Sequence, residues 1–405
     1  MFLIDLTFTN LKRQFRKSIL VLLLCSVMVC FLCSYIGNIN ANESQLSSLP
    51  QAIPVSAFIS NLNGSQNVGL QIKDSIINGI EASGFARDMV YRVQMAANFA
   101  PETEEEQIKP KKIQLAGIND ISAYPSIDEN SLNGEMDFFN GQSAQCIVTK
   151  RFLQDNGLKI GDEIKLAMYR YQYENNMFGT LKYVYLADES LKISGSFDLI
   201  PDAVQEVMPN VIAPISWIKS IFNEKGVDFY AESASFKLTD PMHLNEFKAS
   251  MKELSLLPVN PQTDNLVSGN ALVVNDETFI RSATSIQNNL KALNYFFPLL
   301  IAAVLMVGYV VSNLMIQSRQ REFAIMRSLG NGKFTCLSLY LIESSILALT
   351  SAVIGVFVAL LFMKVPLLSV LTASITFFMS FMLGVFIATI ILGRVSVMNM
   401  LSKAD

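Results

Sequence analysis

Histidine is nearly absent from this chain of 405 residues, in which His243 is the only one. Zinc sites of the HExxH type and Ser-His or Cys-His catalytic pairs need well-placed imidazoles, so the sequence supports neither. Charged residues are also few, at 16% of the chain, whereas 51% is hydrophobic and the mean hydropathy is +0.35. This composition argues against a protein that is soluble throughout.

A phosphate-binding loop is missing as well. The nearest candidate runs from Gly330 to Thr335, but a P-loop needs Gly five residues before its Gly-Lys pair and Ser or Thr directly after the Lys. Arg327 and Phe334 occupy those two places. We therefore expect no enzyme activity and no cofactor on this chain. Any ATP that powers it is expected to be hydrolysed by another polypeptide.

Cysteines are rare outside the apolar stretches, where Cys146 stands alone, so an intramolecular disulfide is excluded there. Cys25, Cys30 and Cys33 share the first apolar stretch, and Cys336 lies at the third. We interpret those in the first stretch as small apolar residues packed in a helix rather than as metal ligands.

Four apolar stretches have about the 20 residues that a helix needs to cross a bilayer. They cover residues 18–37, 293–316, 337–363 and 367–392. The first follows basic residues like a signal peptide, but it is longer than such segments and lacks a small-residue cleavage site. The sequence predicts an α-helical membrane protein with four transmembrane helices and a large α+β extracytoplasmic domain inserted between the first and second.

Basic residues near the membrane ends set the orientation, because Lys and Arg concentrate on the cytoplasmic side. Residues 38–292 hold 20 Lys and Arg against 31 Asp and Glu, so this acidic region is a poor ligand for nucleic acid. We expect a multi-pass protein of the bacterial cytoplasmic membrane, with both termini in the cytoplasm. The basic residues cluster in three places: Lys12, Arg13, Arg16 and Lys17; Arg319, Arg321, Arg327 and Lys333; and Arg394 and Lys403.

The regions outside the four apolar stretches can be divided into segments. Residues 1–17 suit an amphipathic elbow on the inner membrane surface, with a frayed terminus as the alternative. The external domain, residues 38–276, has a porter part of two βαβ-like units, 50–100 and 232–276, and a β-rich subdomain inserted at about 112–225. Its acidic run at Glu102 and 104–106 is interpreted as a solvated loop rather than a cation site. Residues 393–405 form a cytoplasmic tail.

Residues 277–292 carry apolar side chains at helical spacing, with no Gly or Pro before Pro298. The second span is therefore expected to continue outward as a stalk that couples the external domain to the membrane, or else as a helix that only packs on that domain. The stripe comprises Phe279, Ile280, Ala283, Ile286 and Leu290.

Residues 317–335, between the second and third spans, favour a short helix that ends at Gly330. Its apolar side chains could enter a groove on a partner while its charged ones pair around the rim; the alternative is a solvated connector. The apolar set is Phe323, Met326 and Leu329, and the charged set is Arg321, Glu322 and Arg327. Glu343, about one turn into the third span, is a second polar feature, expected to reach Lys333 or water.

This loop resembles the R-x-R-E-x-x-x-x-R-x-x-G signature of the MacB/FtsX-like permeases, the membrane subunits of mechanotransmission (type VII) ABC transporters. Glu343 lies where that family often carries a glutamate, and residues 11–17 and 148–165 are similar to its elbow and to an element of its external domain. The matching loop residues are Arg319, Arg321, Glu322, Arg327, Leu329 and Gly330.

The resemblance implies that two permease chains, either two copies or a copy and a paralogue, pair in the lipid membrane above two ABC ATPase subunits that bind ATP and Mg. The loop would couple ATP hydrolysis to movement of the external domain. Three roles stay open: export of a peptide or amphipathic compound such as an antimicrobial peptide, regulation of a cell-wall hydrolase, and lipoprotein release. An extracytoplasmic adaptor or effector is a further expected partner.

Overall fold

The computed structural model describes residues 13, 15–102, 111–133, 139, 141–173, 181–200, 208–264, 269–317, 322, 325, 326, 330, 332–363 and 365–393. The chain divides into two compact units. The helical unit comprises Met1–Leu49 and Ile280–Asp405, and the sheet unit comprises Pro50–Phe279.

The described secondary structure is numbered in chain order. The helices are α1 (Phe15–Ala52), α2 (Asp74–Ala82), α3 (Lys150–Asn156), α4 (Ile215–Glu224), α5 (Leu244–Glu253), α6 (Glu277–Gln317), α7 (Lys333–Met363) and α8 (Leu367–Gly393). The strands are β1 (Ser56–Asn61), β2 (Ile72–Lys73), β3 (Ala86–Phe99), β4 (Ile113–Ile118), β5 (Gln145–Thr149), β6 (Glu163–Tyr173), β7 (Leu181–Phe197), β8 (Val211–Pro214), β9 (Tyr230–Ala231), β10 (Ser233–Leu238), β11 (Leu257–Pro258) and β12 (Asn270–Asn275). Short 3-10 turns lie at Ile121–Ala123, Glu129–Ser131 and Pro241–His243.

Within the described residues, four helices are long and apolar enough to cross a membrane: α1, α6, α7 and α8. Each contains one of the four spans predicted from hydropathy. Two of them are far longer than a span requires. At 1.5 Å per residue, α1 with 38 residues measures about 57 Å and α6 with 41 residues about 61 Å, against a hydrocarbon core of about 30 Å.

The extension of α1 places a helix between the first predicted span and the sheet unit. Residues 38–49 were assigned to the external domain without a predicted element, but α1 continues to Ala52, and the sheet unit begins at Pro50, where the porter part was expected to start. Residues 38–49 are mostly polar and lack apolar periodicity, so they resemble soluble protein in sequence. They contain neither Gly nor Pro, so no residue there ends the helix before Pro50.

Glycines bring the helices of the helical unit into close contact. A Cβ added at Gly384 of α8 would lie 2.1 Å from the Leu305 carbonyl oxygen of α6, and one at Gly355 of α7 would lie 2.9 Å from the Ser26 carbonyl oxygen of α1. Small residues at such positions let backbones approach closely, which stabilises helix pairs in lipid, where tails compete for apolar contacts. The hydroxyl of Tyr35 on α1 also donates a hydrogen bond of 2.6 Å to the Leu293 carbonyl of α6.

In the sheet unit, two β-α-β units interleave. The first is β1, α2 and β3, and the second is β10, α5 and β12. Their strands lie in the order β12-β1-β10-β3, and every neighbouring pair is antiparallel. This is the split β-α-β arrangement of ferredoxin-like folds. The core-facing side chains of the helices, among them Ile77, Ile80, Phe247 and Met251, are buried.

The β-rich part closes into a barrel that includes β3. Its strands follow one another as β3-β4-β8-β5-β7-β6, and β6 pairs back with β3. Residues 86–92 of β3 pair with β10, whereas residues 95–99 pair with β6. The β-rich part is therefore not a separate insertion at 112–225, because it borrows a strand of the ferredoxin-like part. Closure protects strand edges that would otherwise be open to other chains.

Two further elements shape the β-rich part. The helix α4, which was not predicted, has a buried face that carries Trp217, Ile218 and Ile221. Residues 181–197 form the single long strand β7, in which residues 187–190 also pair with β6.

Candidate functional site

The candidate coupling site lies between α6, which ends at Gln317, and α7, which begins at Lys333. Of its predicted residues, Glu322, Met326 and Gly330 are described by the structure. The other five lie outside the described residues: Arg319, Arg321, Phe323, Arg327 and Leu329.

The described loop residues have the backbone that a short helix with a glycine end requires. Glu322, Ile325 and Met326 are helical, and Gly330 has φ +91°, a left-handed conformation that glycine adopts at little cost. A Cβ added at Gly330 would have no atom of the described residues within 4 Å. Glycine is therefore favoured here by the left-handed backbone conformation and not by a lack of space.

The apolar side chains of the loop point in two directions. Met326 is half-buried and packs against a cluster at the neighbouring helix ends, formed by Ile316, Cys336, Leu337 and Tyr340. Ile325 is 49% exposed. Met326, which was expected to enter a partner's groove, thus anchors the loop to its own chain. Ile325, which sequence reasoning missed, is an exposed apolar side chain that a partner could reach.

An ion pair joins the loop to the start of α1. Arg13 Nη1 donates to Glu322 Oε1 at 3.3 Å, and the two side chains are 77% and 39% exposed. Arg13 belongs to the predicted elbow of residues 1–17, most of which lies outside the described residues. Two of the three segments that the sequence singled out as basic and cytoplasmic therefore contact each other within one chain.

Glu343 is buried inside the helical unit, with 1% of its surface exposed. The expectation that it reaches water is wrong for this conformation, because the side chain faces protein. Ser344 beside it and Ser312 on α6 are also buried. Burial of a carboxylate at this depth costs about 2.5–3.5 kcal/mol on insertion scales unless partners offset it. Glu343 does take part in interactions within the chain.

The predicted stalk stripe is only partly buried. Phe279 and Ala283 are buried, Ile286 and Leu290 are half-buried, and Ile280 is 43% exposed. These residues lie on α6, which runs without a break from Glu277 past Pro298 to Gln317. The coupling role of this segment stays a prediction.

A buried polar network lies at one end of the barrel. Lys111 Nζ is 3.2 Å from Glu102 Oε2 and 3.9 Å from the centre of the Tyr169 ring, and Asn98 and Tyr169 donate hydrogen bonds to the Glu102 carboxylate. Burial opposes ionisation of Glu102, but the hydrogen bonds outweigh it, so its pKa is lowered. Burial, reinforced by Glu102, raises the pKa of Tyr169. The expectation that Glu102 belongs to a solvated loop is therefore wrong, because its side chain is buried. Glu104, Glu105 and Glu106 lie outside the described residues.

We also looked for metal-binding and nucleophilic side chains among the described residues. Among the described residues, no group of three His, Cys, Asp or Glu side chains could hold a metal ion. Cys146 is buried, and this raises the pKa of its thiol to about 12. The side chain of His243 is 55% exposed beside Asp240.

Comparison with known proteins identifies the helical region. The family described as FtsX-like permease C-terminal matches residues 294–404, which include α7, α8 and the candidate coupling site. Residues 294–404 therefore correspond to the C-terminal domain of the FtsX-like permeases. This match and the four long apolar helices indicate a multi-pass membrane protein.

Two solved structures are similar to parts of this chain. The extracellular domain of the noncanonic ABC-type transporter YknZ from Gram-positive bacteria is 11% identical, with a TM-score of 0.29, over 49% of this chain and 91% of that one. A domain of a protein described as a permease from Porphyromonas gingivalis is 14% identical, with a TM-score of 0.28, over 55% and 86%. Neither likeness is strong enough to establish a shared fold. No curated protein matches the sequence closely enough to count as a relative.

Proposed function

We propose that this chain is the permease subunit of a MacB/FtsX-like ABC transporter, which converts ATP hydrolysis by a separate ATPase into movement of the sheet unit outside the membrane. ATP and Mg would bind to two partner ATPase subunits beneath a pair of permease chains. The sheet unit would be extracytoplasmic, and both termini and the 317–335 loop would be cytoplasmic.

The continuous helix α6 is the observation that carries this proposal. Its first residue, Glu277, follows β12 by two positions, and its last residue, Gln317, adjoins the coupling loop. A helix of about 61 Å transmits a displacement applied at one end, since every turn is hydrogen-bonded to the next. A push on the loop would thus reach the chain where it enters the sheet unit.

Contacts at the loop also support the transmission of movement from the loop to the long helices. Met326 is held in the cluster at the ends of α6 and α7, so a partner that moves the loop also moves these helices. Arg13, two residues before α1, pairs with Glu322 of the loop, and α1 is the second helix that extends far beyond a bilayer's thickness. Ile325 remains exposed for the ATPase.

Export of a peptide or amphipathic compound is the proposed outcome of that movement. The sheet unit has two folded parts, a ferredoxin-like sheet and a barrel, which gives a transporter a large surface outside the membrane. Control of a cell-wall hydrolase would use the same movement without transport. Deleting the partner ATPase should sensitise cells to antimicrobial peptides; unchanged sensitivity together with altered wall turnover would refute export.

The loop's role is tested by co-purification of the ATPase with Ile325→Asp and Phe323→Asp variants. Each is expected to lose most of the bound ATPase while inserting normally, because a carboxylate is excluded from an apolar groove. Ile160→Asp is the matched control, since Ile160 is 45% exposed on the sheet unit. If both loop variants retain the ATPase and its activity as the control does, the loop is not the coupling site.

A further inference from the structure

A polar cavity of about 290 Å³ lies in the sheet unit where β3 changes neighbours. Along one edge, β3 pairs with β10 as far as Arg92 and with β6 from Met95 onward. Val93 and Gln94 fall between the two pairings, and both line the cavity. The divergence of β10 and β6 therefore opens the space that a continuous sheet would fill.

Three further segments complete the wall. Arg170 and Gln172 come from β6, Asp228 comes from the segment that links α4 to β9, and Tyr230 is the first residue of β9. Residues 69–71 enclose the remaining side, starting at Gly69, whose φ of +73° turns the chain. The cavity is thus built by both the barrel and the ferredoxin-like part, which share β3.

Several polar side chains on this wall are not satisfied by the chain. Among the described residues, the side chains of Arg170, Asp228, Gln172 and Tyr230 form no hydrogen bond or ion pair, although Arg170 and Tyr230 are half-buried. Glu232 on the same wall differs, because it is paired with Arg92 at 2.7 Å. Asp228 and Gln172 are exposed and Arg170 and Tyr230 are half-buried, so water can solvate all four side chains. A guanidinium and a carboxylate that line one cavity without a partner among the described residues can each pair with an opposite charge, and a zwitterion carries both charges in one molecule.

We propose that this cavity binds a small zwitterion, a free α-amino acid or a dipeptide. The fork of Arg170 matches a carboxylate bidentately, and Asp228 accepts hydrogen bonds from the ammonium group. Gln172 and Tyr230 supply further hydrogen bonds that orient the ligand. The volume is below the range of about 300–1,000 Å³ for drug-sized ligands, and the polar lining disfavours lipid tails. This site is independent of the proposed export of amphipathic compounds.

The test measures thermal unfolding of the purified full chain in detergent, with each common amino acid and with alanyl-alanine at about 10 mM, since a ligand of the native state raises the Tm. At least one compound is expected to raise the Tm in a concentration-dependent way. Its N-acetylated and amidated forms, each lacking one charge, should bind about tenfold more weakly or worse.

Variants locate the binding. Arg170→Gln and Asp228→Asn should each weaken the Kd about tenfold or more. Gln172→Glu, at an exposed position where folding is not at risk, should weaken it by placing a second negative charge near the carboxylate. Arg151→Gln, on α3 outside the cavity, should bind like the wild type. The proposal falls if no compound raises the Tm of the wild type, if the capped forms bind as tightly, or if the cavity variants bind as well as Arg151→Gln.

Discussion

The Arg13 guanidinium lies 3.3 Å from the Glu322 carboxylate, across 309 residues of sequence. An exposed pair of this kind contributes about 0.2–1 kcal/mol, so its loss should hardly change the Tm. Arg13→Glu and Glu322→Arg should each displace the loop and weaken ATPase co-purification up to about fivefold, because like charges then oppose each other. The double exchange should restore it. A double variant no better than the weaker single one would show that this contact does not position the loop.

The approach of α8 to α6 gives a second prediction. Gly384→Ala should lower the Tm of the detergent-solubilised protein, because its Cβ would stand 2.1 Å from a backbone oxygen that a side-chain rotation cannot move. Overpacking of this kind costs about 1–3 kcal/mol. Gly332→Ala is the matched control, since its Cβ would lie 3.5 Å from Thr335 Oγ1, which is an ordinary contact distance. Equal Tm values for the two variants would contradict the packing described for these helices.

The buried Glu102–Lys111 pair predicts both a loss of stability and its pH dependence. Glu102→Ala leaves the Lys111 ammonium, fully buried, without its carboxylate, which costs about 3–5 kcal/mol. The pKa of Glu102 is lowered in the folded chain, whereas an unfolded glutamate titrates near about 4.3. The stabilisation is therefore complete above that ordinary pKa and is lost as the pH falls through the lowered one.

Thermal unfolding of the wild type and Glu102→Ala between neutral and acidic pH measures this effect. The gap between their Tm values should be constant at neutral pH and should narrow once the pH falls below about 4. Glu224→Ala, at an exposed position on α4, should show no such gap. A gap that is absent at neutral pH, or that widens on acidification, would contradict the role given to Glu102.

Local signals in the sequence predicted much of the fold. Hydropathy located the four spans. Local signals also mark α3, because Gly157 ends it in the left-handed conformation. Thr149 also caps its start by accepting a hydrogen bond from the Phe152 amide. The barrel could not be predicted from local signals, because its closure depends on the pairing of β3 with β6, about seventy residues away in sequence.

In the candidate site and the buried polar network, too, contacts between distant residues could not be predicted from local sequence. The run of acidic residues at 102–106 suggested a solvated loop, but Glu102 is buried by Lys111 and by Tyr169 of a distant strand. Helical spacing placed Met326 on an apolar face without showing that its own chain covers that face. Ile325 was missed because a single exposed apolar side chain gives no periodic signal.

Movement of the sheet unit on ATP binding is the central claim. Spin labels at Lys225→Cys in the sheet unit and Leu367→Cys at the start of α8 occupy exposed positions, and dilution with unlabelled chains restricts the measured distance to one chain. A variant with Gly-Gly at 287–288 breaks the rigidity of α6, at about 1 kcal/mol per glycine. In the ATPase complex, ATP should shift the distance distribution of the wild type but leave that of the Gly-Gly variant unchanged. No shift in the wild type, or the same shift in both, would contradict the account.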